Sequence, residues 1–114
     1  METLILQSIL NSFMNQTYVL QGRLHAISGK GGQLTTLLQR AAKILKNVKG
    51  CKLYLISRVP LEFDTIFVTE VWDSKFDHDQ SLSQPELREI IEQAMPLLKG
   101  SPELNVELEY LGGL

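Results

Sequence analysis

Four segments of the chain alternate apolar and polar residues in the way that half-buried β-strands require. They are residues 17–27, 51–59, 66–72 and 104–111. The third is the clearest, because β-branched and aromatic residues fill it as far as Trp72. Asp73 and Ser74 then end it, since their short polar side chains bond to the nearby backbone. The pattern predicts four strands.

Two segments between the strands have the spacing of amphipathic helices. Residues 33–48 place apolar side chains at i, i+3 and i+4, and Gly50 can adopt the left-handed conformation that ends a helix. Residues 83–98 begin with the S-x-x-E order of a capping box at Ser83 and Glu86. Pro96 predicts a kink or an early stop in this second helix.

The predicted order is therefore β-α-β-β-α-β, which is typical of the α+β ferredoxin-like plait, the split βαβ fold. Both helices cover one face of a four-stranded antiparallel sheet and leave the other face open. Because the open face carries apolar residues, we expect a second copy of the chain to cover it. The predicted assembly is a homodimer.

Residues 1–16 precede this domain and carry Leu4, Ile5, Ile9 and Phe13 at helical spacing. They predict a short N-terminal helical extension that packs on the domain or on a partner subunit, followed by one domain over residues 17–114. The alternative is that Met14 is the natural start and that the preceding residues are incidental.

Composition limits the possible partners and location. The chain has 114 residues and a formal net charge of -2, and its basic residues are scattered. This gives no basic stripe for nucleic acid. No apolar run approaches the roughly 20 residues that a membrane span needs, and residues 1–16 lack the basic start of a signal peptide. The single cysteine, Cys51, suits a reducing compartment. We expect a cytoplasmic protein.

The loop over residues 28–32, S-G-K-G-G, allows two interpretations. Glycine-rich loops can cradle a phosphate, but this one lacks the G-x-x-x-x-G-K-[ST] order. The plainer interpretation is a strand-to-helix turn that uses permissive glycines.

Candidate site residues lie around the end of the third strand. Trp72 could form the wall of a small-molecule pocket, and His78 follows in an acidic segment that we expect to be a loop. The plain alternatives are core packing for Trp72 and a solvated loop for His78. Glu70 shares the side of the strand with Trp72. Four further residues occupy polar strand positions, and we expect one of them to face a ligand: Arg23, His25, Tyr54 and Arg58.

A metal site is not expected, because one histidine with two adjacent aspartates cannot direct three ligands at one ion. Nucleophilic catalysis has no support either, since the chain has no G-x-S-x-G sequence and no histidine lies near Cys51 in sequence to act as its base.

Several short sequences carry a resemblance to a known family. They are F-V-T-E-V-W-D-S-K at residues 67–75, H-D-Q-S-L at residues 78–82, A-M-P-L-L-K-G at residues 94–100 and the closing glycine pair at residues 112–113. In these the chain resembles the antibiotic biosynthesis monooxygenases, small proteins of the dimeric α+β barrel class. It is most similar to the members named quinol monooxygenases.

The resemblance implies a barrel formed by two sheets, with a pocket in each subunit between sheet and helices. It also implies oxidation of a quinol, polyphenol or polyketide-type aromatic by O₂ without cofactor or metal. Trp72 would stack on the ligand and His78 would take the phenolic proton. Many relatives have a histidine nine positions after the tryptophan, where this chain has Ser81. The heme-degrading relatives have theirs at the position of Leu82, which disfavours heme degradation.

Two other functions use the same cavity. The first is non-catalytic binding of a small molecule, as in a stress-related protein. The second is proton transfer by an isomerase that acts on a small ketone or enol.

Overall fold

The four predicted strands and the two predicted helices all form. A computed structural model describes residues 2–6 and 16–113. Strands β1, β2, β3 and β4 span Tyr18–His25, Cys51–Ser57, Thr65–Trp72 and Glu103–Glu109. Helices α1, α2 and α3 span Gly31–Leu45, Lys75–Ser81 and Pro85–Ala94, and a 3₁₀ turn at Met95–Leu97 follows α3.

The strands form one antiparallel sheet in the order β2-β3-β1-β4. The two central strands, β1 and β3, pair in a register that places Tyr18 opposite Trp72 and Leu24 opposite Ile66. This topology confirms the predicted α+β ferredoxin-like plait. Within one chain the sheet stays open, with β2 and β4 as its edges.

The core lies between the sheet and the helices. Trp72, Leu34 and Ile66 are its largest fully buried side chains. Around them pack the apolar faces of α1 and α3, with residues Leu37, Leu38, Ala41, Leu45, Leu87 and Ile90. Each large apolar side chain buried in this way contributes about 1.5–3 kcal/mol, so this face of the sheet supplies most of the stability of the subunit.

The opposite face of the sheet is open and partly apolar, as the alternation predicts. Leu53 and Leu55 on β2 are 38% and 48% exposed, and Val106 and Leu108 on β4 are 41% and 44% exposed. In the register of the sheet, Val106 and Leu108 lie opposite Gln21 and Val19 of β1. The side chains of Leu53, Leu55, Val106 and Leu108 therefore belong to an apolar surface that the subunit does not cover by itself.

The glycine-rich turn before α1 is closed by an internal carboxylate. Asp64 accepts hydrogen bonds from the backbone N–H groups of Gly29 and Gly31, at 3.1 and 2.9 Å. A Cβ atom at Gly31 would collide with the carbonyl of Phe63, which explains why this position needs glycine. Because these amides are already used, the structure supports a plain turn and not a phosphate cradle.

Two predictions about the segment between β3 and α3 are wrong. The segment that carries His78 is not a loop but helix α2, which begins because the Ser74 hydroxyl accepts the backbone N–H of Asp77 at 3.1 Å. The capping box at Ser83 does not form, since the Ser83 hydroxyl donates to the Gln80 carbonyl at the end of α2. The N-cap of α3 is Gln84, without a side-chain bond.

The expected break at Pro96 is confirmed, because α3 ends at Ala94 and continues only as the 3₁₀ turn. Of the predicted N-terminal extension, residues 2–6 are helical and residues 7–15 lie outside the described residues. None of the helices in the described part of the chain reaches the length and hydropathy that a bilayer-spanning helix needs.

Candidate functional site

Trp72 and Glu70 form a buried pair at the end of β3. The indole is 0% exposed, and its Nε1–H donates to Oε1 of Glu70 at 3.1 Å. Residues two apart on a strand point to the same face, which is why both side chains meet beneath the helices. Burial raises the pKa of Glu70, and the hydrogen bond from Trp72 and the charge of His78 oppose that rise only in part.

His78 reaches this pair from helix α2. Its ring lies 5.6 Å from the Trp72 ring, centroid to centroid, in an edge-on contact at 84°. It also lies 5.3 Å from the Tyr18 ring at a tilt of 49°. The imidazole is therefore packed between two aromatic rings from β1 and β3, and its side chain is only 13% exposed.

Asp79 and Lys75 orient the imidazole through a short chain of charges. Nδ1 of His78 lies 2.9 Å from Oδ1 of Asp79, and Nζ of Lys75 lies 3.1 Å from Oδ2. These hydrogen bonds, first that of His78 and then that of Lys75, lower the pKa of Asp79. An ionised carboxylate can only accept, so Nδ1 carries the proton and Nε2 of neutral His78 is left as the basic atom.

Tyr18 and Glu107 complete the site from the other strands. The Tyr18 hydroxyl donates to Oε1 of Glu107 at 3.1 Å. Burial, followed by this hydrogen bond and the charge of Glu107, raises the pKa of Tyr18 to about 12. Tyr18 therefore keeps its proton at any physiological pH and acts as a hydrogen-bond donor to the carboxylate.

A cleft of about 610 Å³ opens beside Tyr18, between α2 and β4. It is bounded by Tyr18, Lys75, Phe76, Asp79, Glu107 and Glu109, among others. Trp72 has no exposed surface, so a ligand touches the indole only if its neighbours move. Tyr18, Lys75 and Asp79 belong both to the walls of the cleft and to the cluster around His78.

Three of the residues predicted for the site therefore meet, namely Trp72, His78 and Glu70. Tyr54 joins them, because it pairs with Glu70 across β2 and β3 and packs on the core. Its assignment to a polar side of the strand is wrong: burial, followed by the charge of Glu70, raises its pKa. Alternation within β2 alone could not show which side faces the helices.

The two predicted arginines lie elsewhere. Arg23 is on the open face of the sheet, where its Nη2 contacts Oε2 of Glu103 at 2.7 Å beside His25. Arg58 follows the end of β2 and lies over the Phe63 ring at 4.6 Å. The structure brings neither of them to the cluster around His78.

Sequence reasoning did not select Tyr18 or Glu107 for the site. Both lie on alternating strands and look like ordinary sheet residues, and only the order β3-β1-β4 places them beside Trp72 and the cleft. Asp79 could be selected for the site from the sequence, because it directly follows His78. No group of three or more His, Cys, Asp or Glu side chains that could hold a metal ion occurs within residues 2–6 and 16–113.

Comparison with known proteins decides the family. The family model described as antibiotic biosynthesis monooxygenase matches residues 17–93, which is more than half of the chain. The chain belongs to the antibiotic biosynthesis monooxygenase family. This confirms the resemblance carried by the strand that ends at Trp72 and by the segment around His78. The comparison with curated proteins finds no match.

Solved structures agree with this assignment. A protein from Chloroflexus aurantiacus that is named for the same family is 32% identical, with a TM-score of 0.77 over 86% of this chain and 96% of that chain. Two others named for the family share the fold at lower identity. The protein from Caulobacter crescentus is 19% identical (TM-score 0.76, 92% and 99% covered), and the one from Nitrosomonas europaea is 10% identical (TM-score 0.78, 87% and 94% covered).

Proposed function

We propose that this member of the family oxidises an electron-rich aromatic, a quinol or another polyphenol, with O₂, and that His78 accepts the phenolic proton. One observation supports this most. His78 packs between Trp72 and Tyr18 while Asp79 holds its Nδ1, which leaves Nε2 as a base next to aromatic surface. A planar phenol fits such surroundings because it can stack on a ring and donate its hydroxyl to the imidazole.

In the proposed reaction the substrate supplies the electrons. Transfer of the phenolic proton to Nε2 of His78 leaves a phenolate, which is rich enough in electrons to reduce O₂. One oxygen atom bonds to a ring carbon, and the second leaves as water with the two hydrogen atoms that the ring system loses. One hydroquinone and one O₂ thus give one hydroxyquinone and one water, so the balance needs no further reductant.

The other residues of the cluster have supporting roles in this proposal. Trp72 holds the imidazole edge-on, and Glu70 fixes the indole through its Nε1–H. Tyr54 packs on the core beside Glu70 and supports the buried carboxyl from β2. Arg23 and Arg58 lie outside the cluster, and the proposal gives them no part in binding.

We also propose that two copies pair through their open sheet faces. The exposed apolar side chains of β2 and β4 support this, because a subunit in water gains free energy when they are covered. Residues 17–114 form the pairing domain in this proposal, with residues 1–16 as an extension. The unpaired thiol of Cys51 suits a reducing compartment such as the cytoplasm.

Oxygen uptake with a panel of substituted hydroquinones tests the reaction. We expect saturable uptake by the wild-type protein, with one O₂ consumed per product, and a loss of about 10²–10⁴-fold in kcat for His78→Ala if it is the proton acceptor. Trp72→Phe should keep the fold and lose less activity, because phenylalanine still presents a ring to His78.

The same assay separates the two rival functions. Turnover of an enol or ketone without oxygen uptake would indicate proton transfer by the His78 and Asp79 pair and would replace the oxidation proposal. Saturable binding of the quinols without any turnover would indicate a binding protein.

A further inference from the structure

Glu107 lies in the cleft but has no role in the reaction proposed above. It lines the cleft beside α2, and its Oε1 already accepts a phenolic hydroxyl, that of Tyr18, at 3.1 Å. A carboxylate has about four lone-pair sites on two oxygen atoms. The bond from Tyr18 therefore leaves Glu107 with capacity to accept a second hydroxyl within the same cleft.

The charges around Glu107 favour such an acceptor. The ion pairs beside the cleft connect Lys75 and His78 with Asp79. No ion pair among residues 2–6 and 16–113 includes Glu107 or Glu109. Glu107 and Glu109 point to one side of β4, because they are two residues apart on the strand. Lys75 lines the same cleft and its charge interacts with Glu107, but its Nζ contacts Asp79. Glu107 and Glu109 therefore keep oxygen atoms without a direct ionic contact, and these can accept the hydroxyl of a ligand in place of water.

The walls of the cleft suit the rest of a phenol. The rings of Tyr18 and Phe76 line it together with Leu108, and its volume of about 610 Å³ exceeds what a single aromatic ring requires. Tyr18 also contacts the ring of His78, and Asp79, which bonds to His78, lines the cleft, so a ring held against Tyr18 lies close to the proposed proton acceptor. The cleft therefore joins apolar surface to acceptors in one place.

We propose that Glu107 is a second substrate-binding residue, which accepts a phenolic hydroxyl of the substrate and which Tyr18 holds in position. This rests on the proposed function, since the ligand is the same polyphenol. The charges of the cleft also set a substrate class, because three carboxylates among its lining residues, Asp79, Glu107 and Glu109, outnumber the one ammonium, that of Lys75. Neutral polyphenols are favoured, whereas phenols that carry a carboxylate are repelled by like charge.

Anaerobic calorimetric titration tests the inference without turnover. The probes are hydroquinone, its dimethyl ether, which lacks the hydroxyl donors, and 2,5-dihydroxybenzoate, which adds a negative charge. We expect the wild-type protein to bind hydroquinone about tenfold or more tightly than the ether, the range for a hydrogen bond to a charged acceptor. The benzoate should bind more weakly than hydroquinone, and added salt should narrow that gap.

The variants assign the preference to one carboxylate. In Glu107→Ala the preference for hydroquinone over the ether should fall by about tenfold, and only the part that comes from the hydroxyl accepted by His78 should remain. In Glu109→Ala, the matched variant two residues further along the same strand, it should persist. Glu107→Gln keeps a carbonyl acceptor without the charge, so we expect a reduced but measurable preference and a smaller penalty for the benzoate. This variant also covers the case in which Glu107→Ala does not fold.

Three results would overturn the inference: equal binding of hydroquinone and its ether by the wild type, an undiminished preference in Glu107→Ala, or an equal loss of preference in Glu109→Ala. Failure of the proposed function looks different. Glu107-dependent binding of hydroquinone without oxygen uptake would remove the oxidation and leave this inference standing. Oxygen uptake by a protein whose binding of hydroquinone does not depend on Glu107 would overturn this inference and leave the proposed oxidation standing.

Discussion

The two faces of the sheet carry apolar residues from the same four strands but have different surroundings. On the helix side, Trp72 and Ile66 are 0% and 1% exposed, and two ionisable residues, Glu70 and His78, are drawn into that packing. On the open side, Leu55 remains 48% exposed. One face is completed by the chain itself and can hold a site with fixed geometry. The other is complete only when something covers it, and we propose that a second copy does.

The largest effect is expected on the helix side. Trp72→Ala removes the largest fully buried side chain and leaves a cavity among α1, α3 and the sheet, so it should lower the free energy of unfolding by about 3–5 kcal/mol. Trp72→Phe, which refills most of that volume, should cost clearly less. Urea denaturation followed by circular dichroism measures both. A change below about 1 kcal/mol for Trp72→Ala would contradict the packing described for this face.

On the open side we expect an effect on association and little on the fold. Leu53→Asp with Leu55→Asp places charges on the exposed surface of β2, which an isolated subunit tolerates but an interface does not. If each leucine contributes about 1.5–3 kcal/mol to the interface, sedimentation should show dimers for the wild type and monomers for the variant.

Ile91→Asp is the control for this experiment, because Ile91 is exposed to a similar extent, 42%, on helix α3. It should leave the sedimentation unchanged. A wild-type protein that sediments as a monomer would refute the proposed pairing of the open faces.

The buried carboxylate predicts a pH dependence of stability. Burial raises the pKa of Glu70, so across the range from the ordinary glutamate value upward the folded protein binds more protons than the unfolded chain. The free energy of unfolding should therefore fall as pH rises through that range, by about 1.4 kcal/mol for each unit of pKa difference. Glu70→Gln, which still accepts the Trp72 N–H, should flatten this slope. An unchanged slope in the variant would contradict the role of Glu70.

A smaller effect is expected where α2 begins. Ser74→Ala removes the side-chain oxygen that accepts the Asp77 N–H, and the loss of such a cap costs about 1 kcal/mol. Because α2 carries His78, the variant should also lower turnover without changing the ligand preference of the cleft. The matched change Ser83→Ala removes a hydroxyl that caps no helix N-terminus, and we expect less than about 0.5 kcal/mol. If thermal unfolding shows the same loss of unfolding free energy for Ser74→Ala and Ser83→Ala, the Ser74 cap has no special role.

Much of this fold follows from periodicity in the sequence. The strands and helices α1 and α3 were predictable because each is long enough for its apolar spacing to show. Helix α2 was not, because it has only seven residues and its one large apolar residue, Phe76, is 65% exposed. The Ser74 cap was the available signal.

The site was predictable only in part, for a related reason. Trp72, Glu70 and His78 are close in sequence, so local reasoning could group them. Tyr18 and Glu107 come from β1 and β4, and they reach the site through the order and register of the strands, which depend on the whole fold. Arg23 looked equivalent to the site residues, yet the alternation of β1 directs it to the open face.

The chain contains two histidines, one on each face of the sheet, and they provide the most direct test of the account. Oxygen uptake with hydroquinones should be compared for His78→Ala and His25→Ala, each normalised to folded protein. We predict that kcat falls by about 10²–10⁴-fold in His78→Ala and stays close to the wild-type value in His25→Ala. Equal activity in the two variants, or a greater loss in His25→Ala, would contradict the placement of the reaction on the helix-covered face.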